Sequence, residues 1–342
     1  RYREAPEPIA TMPSGIPYIV GNAAAERFSY YGMRTILYPF MTKFIVDAAG
    51  HPAPMAEADA NAYAHTFYSA VYFFPLLGAL LADGVWGKYR TIIWLSIVYC
   101  LGHLALALDD TRSGLLLGLT LIAVGAGGIK PCVSAHVGDQ FGEANKHLLP
   151  RVYGWFYFAI NFGAFYSTLL TPAILNRRGI FADLIPEGTR SAPYAFALPG
   201  VLMLLATIVF WWGRRRYAHI PPGGMRFLRE SFSAEGLSAM LRLAVLYVFV
   251  AFFWCLYDQT STSWVAQAGK LDRHVPHLCT ALRIVSLGFV NFEGELPAES
   301  VQAVNPLLIM LLIPVFNYAI YPAVDRVFPL SPLRKVGIGF LL

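Results

Sequence analysis

Ser113–Ser134 reads SGLLLGLTLIAVGAGGIKPCVS, an apolar run with a single charge, Lys130, near its end. A bilayer core about 30 Å thick needs about 20 mostly apolar helical residues to cross it, and this stretch supplies them. Working outward, segments of the same kind lie at 15–46, 62–84, 90–109, 151–174, 193–213, 239–267 and 303–323. The spacing predicts eight membrane spans. A ninth begins near Lys335 and stops in mid-pattern at Leu342, so the chain reads as a piece of a longer protein. The expected fold class is an all-α polytopic membrane protein.

Composition agrees. Of 342 residues, 56% are hydrophobic and only 14% are charged, against roughly 45–50% apolar and about 25% charged in soluble domains. That argues against a soluble enzyme and against a disordered chain. The polar start, through Pro8, does not resemble a secretory signal, so the first span is expected to stay in the mature protein. Four cysteines, Cys100, Cys132, Cys255 and Cys279, lack metal-ligand spacing and read as buried thiols.

The basic residues orient the spans. With the N-terminus in the cytoplasm, fourteen flank the inner ends: Arg1, Arg3, Lys88, Arg90, Lys146, Arg151, Arg214, Arg215, Arg216, Arg226, Arg229, Arg326, Arg334 and Lys335. Seven fall in outer loops: Arg112, Arg177, Arg178, Arg190, Lys270, Arg273 and Arg283. Residues 1–213 then form a six-helix bundle, and 214–238 a cytoplasmic linker with Arg214–Arg216 and Pro221-Pro222-Gly223-Gly224. Residues 239–342 form part of a second bundle, with an outer loop at 268–302. The stretch 270–300 does not fit a span, because its apolar run at 278–290 is too short; it reads as loop with an interfacial helix. The linker's basic patch suits anionic lipid, so the net charge of +5 does not call for a nucleic-acid partner.

Charges inside spans cost about 3 kcal/mol each on insertion scales. The first span holds Glu26, Arg27 and Arg34, the fourth Lys130, and the seventh Asp258. They could be ion pairs that lock helices together, but five in one small protein point to a polar pathway. Arg27 and Arg34 are seven apart and share a helical face, with Tyr30 beside Arg27 and Tyr31 next in the chain. A cationic and phenolic stripe suits a carboxylate or another anion. In the second span Tyr68 and Tyr72 are four apart and follow His65, whose ordinary pKa allows titration near neutrality. In the fifth, Tyr157 and Asn161 are four apart. The eighth opens with Asn305-Pro306 and should bend at Pro314. Gly125, Gly127, Gly128 and Gly163 allow close helix approach. A membrane-embedded enzyme is disfavoured: Ser134 and His136 point to different faces, and no nucleophile–base set or metal cluster is evident.

Six stretches in order carry a family resemblance. They are Glu26-Arg27-Phe28-Ser29-Tyr30-Tyr31-Gly32-Met33-Arg34, the loop Gly78 to Ile92, Gly127-Gly128-Ile129-Lys130-Pro131, Phe156 to Gly163, Phe253 to Gln259 with Ser263-Trp264, and Gln302 to Ile309. Together they resemble the proton-dependent oligopeptide transporter (POT) family of the major facilitator superfamily, over nearly all the chain except 270–300 and 214–235. The run His65-Thr66-Phe67 resembles the animal-type carriers. The resemblance implies two six-helix bundles rocking around a central site, and proton-coupled symport of di- and tripeptides. It implies that Arg27 and Lys130 face the peptide carboxylate, and that Tyr30, Tyr31, Tyr72 and Asn161 line the pocket with Asn305 and Trp264. Arg34 and Asp258 are implied to form a gating pair between bundles. Glu26, His65 and Asp258 are the candidates for proton coupling. No cofactor is implied beyond the proton, and the expected partners are the peptide and the lipid bilayer of a plasma (inner) membrane, with the carrier a monomer. Related carriers of nitrate or small organic anions, or an uncoupled facilitator, are the alternatives. The family's first-span signature is Glu-x-x-Glu-Arg, and here Ala23 stands at its first position. The resemblance also makes the chain about four spans short, and it leaves the family's tenth-span acid without a counterpart here.

Overall fold

The computed structural model describes residues 2–341. Arg1, among the predicted inner-flank cations, lies outside the described residues, as does Leu342 at the end of the ninth predicted span. The described residues form helices, and β-structure is confined to isolated bridges. Helix α1 is Ile16–Pro39, α2 Glu57–Leu81, α3 Lys88–Leu108, α4 Arg112–Gly138, α5 Leu149–Leu175 and α6 Ala192–Trp212. After them come α7 (Gly224–Ser231), α8 (Ala234–Asp258), α9 (Pro276–Val285), α10 (Val304–Val315) and α11 (Pro332–Leu341). Seven helical stretches are long and apolar enough to cross a membrane. The first span is not among them, because its middle carries Glu26, Arg27 and Arg34.

Local chemistry sets the boundaries. Prolines open α1, α5 and α6, where a missing N–H costs nothing. Thr111 and Ser233 cap α4 and α8 by accepting from Gly114 N and Gly236 N. Gly87, at φ 77°, turns the chain between α2 and α3 in a conformation that other residues avoid. Wide π-type turns continue α1 over Phe40–Phe44, α2 over Ala82–Trp86 and α10 over Phe316–Ile320. The first and last of these follow Pro39 and Pro314, as expected where proline disturbs the hydrogen-bond ladder.

Helix α1 is the axis of the packing, set against α5 and α6, while α3 packs on α4 and α6 and α2 on α4. Bridges tie ends that share a face: Arg3 pairs with Ala218, and Val46 with Thr111. The N-terminus and the end of α6 therefore lie on one face, and the ends of α1 and α3 on the other.

Two elements depart from the sequence reading. The seventh span, read as continuous over 239–267, breaks after Asp258: Gln259–Ser261 form a tight turn, Thr262 leaves helical geometry, and a short helix resumes at Ser263–Ala268. Hydroxyls at 260–263 compete with the backbone ladder, and Ser261 Oγ bonds the Asp258 carbonyl at 3.0 Å. The cysteine reading also needs correction, since only Cys132 and Cys279 are buried. Cys100 is half-buried and Cys255 exposed. Among the described residues Asp258 is the only buried one of α8, so the thiol at 255 points off a helix whose apolar sides face away from the protein.

Candidate functional site

The interrupted end of α8 faces the C-terminal half of α1. Arg34, 4% exposed, places Nη2 2.5 Å from Asp258 Oδ1. Its Nε and Nη2 also donate to Ser261 Oγ at 3.1 and 2.9 Å. The guanidinium lies 4.3 Å from the centre of the Tyr68 ring, so an aromatic face covers what the oxygens do not. His65 Nε2 lies 3.3 Å from Thr262 Oγ1. The contacts to Asp258, Ser261 and Thr262 join residues more than 190 positions apart, from α1 and α2 to the end of α8.

A second group lies one to two turns along α1. Arg27 Nε lies 2.9 Å from Glu26 Oε2, and Glu26 is buried. Lys130 Nζ lies 3.7 Å from the Tyr30 ring centre and 6.0 Å from that of Tyr72. Among the described residues Lys130 has no carboxylate partner, so aromatic faces hold an ammonium whose donors remain free for an anion.

A cavity of about 430 Å³ opens between these parts. Tyr31 and Arg34 reach it from α1, Asn161 and Thr168 from α5, and Tyr257, Trp264, Gln302 and Asn305 from the later part of the chain. Tyr257 OH donates to Asn305 Oδ1 at 3.2 Å, and Asn161 Nδ2 to the Tyr157 carbonyl at 2.9 Å. Of the residues singled out from sequence, Tyr31, Arg34, Asn161, Trp264 and Asn305 line this cavity. Arg27, Tyr30, Tyr72, Lys130, Glu26, His65 and Asp258 do not; they form the adjoining clusters. Tyr30 and Tyr31 touch edge-on at 5.5 Å and link the two. The sequence alone gives no role to Ser261 and Thr262. The run of hydroxyls at 260–263 was the available signal.

The sequence profile of the POT family matches residues 89–234 and 226–342. The chain belongs to the POT family. Peptide transporter family 1 of Drosophila melanogaster is 36% identical over 98% of this chain. Solute carrier family 15 member 2 of Mus musculus is 34% identical over 97%. The chain spans about half the length of these relatives, 47% and 48%. Among solved structures, the POT family transporter PepTSo is 35% identical with a TM-score of 0.75, covering 96% of this chain and 74% of its own. An auto-inhibited POT family peptide transporter is 34% identical with a TM-score of 0.71, covering 94% and 72%. The family is one of membrane transporters, not enzymes. In keeping with this, Ser134 Oγ donates to the Pro131 carbonyl, and His136 is packed against Phe210 and Tyr217. Among the described residues no cluster of His, Cys, Asp and Glu could hold a metal.

Proposed function

We propose that the whole protein is a proton-coupled symporter of di- and tripeptides, working by alternating access in a plasma membrane with its N-terminus in the cytoplasm. The observation that carries this reading is the cavity shared between the first spans and the segment after the linker. It has an ion pair at its edge and unpaired Lys130 nearby. A short peptide is zwitterionic, so it needs a cation for its carboxylate and polar oxygens for its other end. Lys130 and Arg27 supply the first; Asn161, Asn305 and Tyr31 supply amide and phenol contacts. Glu26, His65 and Asp258 are the proton-binding candidates. Neutralising Asp258 leaves Arg34 unpaired, which favours separation on that side. Residues 1–213 form the first bundle, 214–238 the linker and 239–342 part of the second, in a monomeric carrier. The peptide names of relatives about one-third identical favour this substrate over nitrate or organic anions.

Full-length protein in proteoliposomes, given an inward proton gradient, should accumulate radiolabelled dialanine, and other di- and tripeptides should compete. Failure of every di- and tripeptide to compete would overturn the peptide assignment. Equal uptake with and without the gradient would overturn the coupling.

A further inference from the structure

The first six spans bury more polar groups than the cavity and its ion pair employ. On α3, Ser96, Tyr99 and His103 follow at intervals of three and four residues and so share a face; all three are buried. On α1, Asn22 and Glu26 are one turn apart and buried as deeply. Both helices pack against α6. Ser29 Oγ, three residues after Glu26, donates to the Pro199 carbonyl at 2.7 Å. A Cβ placed on Gly200 would stand 2.9 Å from His103 Cβ. Thus α1 near Glu26 and α3 at His103 meet the same turn of α6. Tyr99 and His103 stack with ring centres 4.9 Å apart.

Seven polar atoms on these five side chains have no hydrogen-bond partner among the described residues. They are Asn22 Oδ1 and Nδ2, Glu26 Oε1, Ser96 Oγ, Tyr99 OH, and His103 Nδ1 and Nε2. Native interiors rarely leave one such atom unsatisfied. A group of donors and acceptors on one interface is the setting in which buried water makes its two to four bonds. The other groups nearby leave that need unmet. Arg27 is turned to Glu26 Oε2, and Cys100 approaches Thr207. Lys130 of α4 sits over Tyr30. From α4, Gly118, Ile122 and Gly125 close the back of α3.

We propose that α1, α3 and α6 enclose a buried hydration site: a column of ordered water running from Asn22 and Ser96 past Glu26 and Tyr99 to His103, along which Glu26 exchanges its proton with His103 away from the ligand cavity. Ser96 and His103 are seven residues apart, about 10 Å along the helix, a length that a few hydrogen-bonded waters cover. Glu26 stands partway along the column beside Tyr99, His103 closes its end, and the Tyr99 hydroxyl is able both to donate and to accept.

X-ray hydroxyl-radical footprinting of the full-length protein tests the water directly, because bound water generates the radical in place. Corrected for the intrinsic reactivity of each side chain, Tyr99 and His103 should be oxidised several-fold faster than Phe40 and Phe196, which are equally buried in the apolar core. Oxidation no faster than theirs would overturn the proposal. The proton exchange is tested through uptake, and so rests on the transport reading. His103→Gln and His103→Asn should keep measurable uptake but flatten or shift its pH dependence. An unchanged pH profile in a folded variant would overturn the exchange. A wild-type protein that took up no peptide would instead overturn the transport reading, and the footprint would stand apart from it.

Discussion

Arg34 is where the two parts of the chain depend on one another. Its guanidinium is buried, paired with Asp258, bonded to Ser261 and covered by Tyr68. Removing one partner of a buried pair costs about 3–5 kcal/mol, because the other charge is left without compensation. Asp258→Asn in the full-length protein should therefore destabilise the closed arrangement on this side. With Cys255→Ser removing the exposed thiol, a cysteine introduced at the cavity lining by Thr260→Cys should then react faster with a membrane-impermeant maleimide. Replacing both partners, Arg34→Met with Asp258→Met, should recover much of the lost thermal stability, and a double-mutant cycle would measure the coupling. No rise in labelling for Asp258→Asn would mean that the pair does not hold this side shut. A second prediction concerns anion recognition. Lys130→Ala and Arg27→Ala should abolish uptake while leaving membrane insertion intact; normal transport in both would remove the carboxylate role. A charge in an apolar span has few options other than pairing or facing water, which marked Arg34 and Asp258 as functional, but that the two pair with each other came only from the family resemblance. Ser261 was not legible, because a seventh span read as unbroken turns its hydroxyl run into ordinary helix surface.

Glycines set the close spacing of α2 and α4. A Cβ on Gly78 would stand 2.4 Å from the Gly128 carbonyl oxygen, and one on Gly128 2.3 Å from Leu95 Cδ1. The backbones of α2 and α4 thus touch directly, the close approach that small residues permit between membrane helices. Gly78→Ala should push them apart and cost about 1–3 kcal/mol in the manner of an overpacked core, seen as a lower thermal midpoint of the purified protein. Gly154→Ala, with nothing within 4 Å of its Cβ, is the control and should be neutral or slightly stabilising. Glycine density was visible in the sequence, but which glycines touch backbone is a matter of helix rotation that composition does not carry. The stretch 270–300 shows the same limit. Its charges and short apolar run excluded a span, and α9 forms within it. Its docking was not legible: Cys279, Leu282, Val290, Phe292 and Leu296 share a small core with Phe165, Leu169 and Ala173 of α5. Those residues are far apart in sequence and belong to no repeating pattern.

Across the whole molecule, the first spans and the later segment meet on the face opposite the N-terminus. Besides Arg34 with Asp258 and His65 with Thr262, Asn176 Nδ2 bonds Glu299 Oε1 at 2.6 Å, and Arg178 pairs with Glu293 at 3.1 Å. Tyr166 OH donates to the Val285 carbonyl. Gly179, at φ 64°, lies so close to the backbone of 289–291 that a Cβ would stand 2.8 Å from Asn291 N. These contacts shut one face over the cavity, and the alternating access proposed above requires that face to open in each cycle. A covalent tie across them should then arrest the cycle without touching the cavity. In full-length protein carrying Cys255→Ser, to remove the exposed thiol, Asn176→Cys with Glu299→Cys joined by a short bifunctional methanethiosulfonate should lose uptake. Reductant should restore it, because the tie is reversible and the single-cysteine variants keep both partners' backbones in place. Ligand binding measured from the N-terminal face should survive the cross-link, since the cavity lining is unchanged and only the opposite opening is blocked. Undiminished uptake by the cross-linked protein would mean that this face stays closed throughout transport, and the rocking of one part against the other would have to be abandoned for this chain.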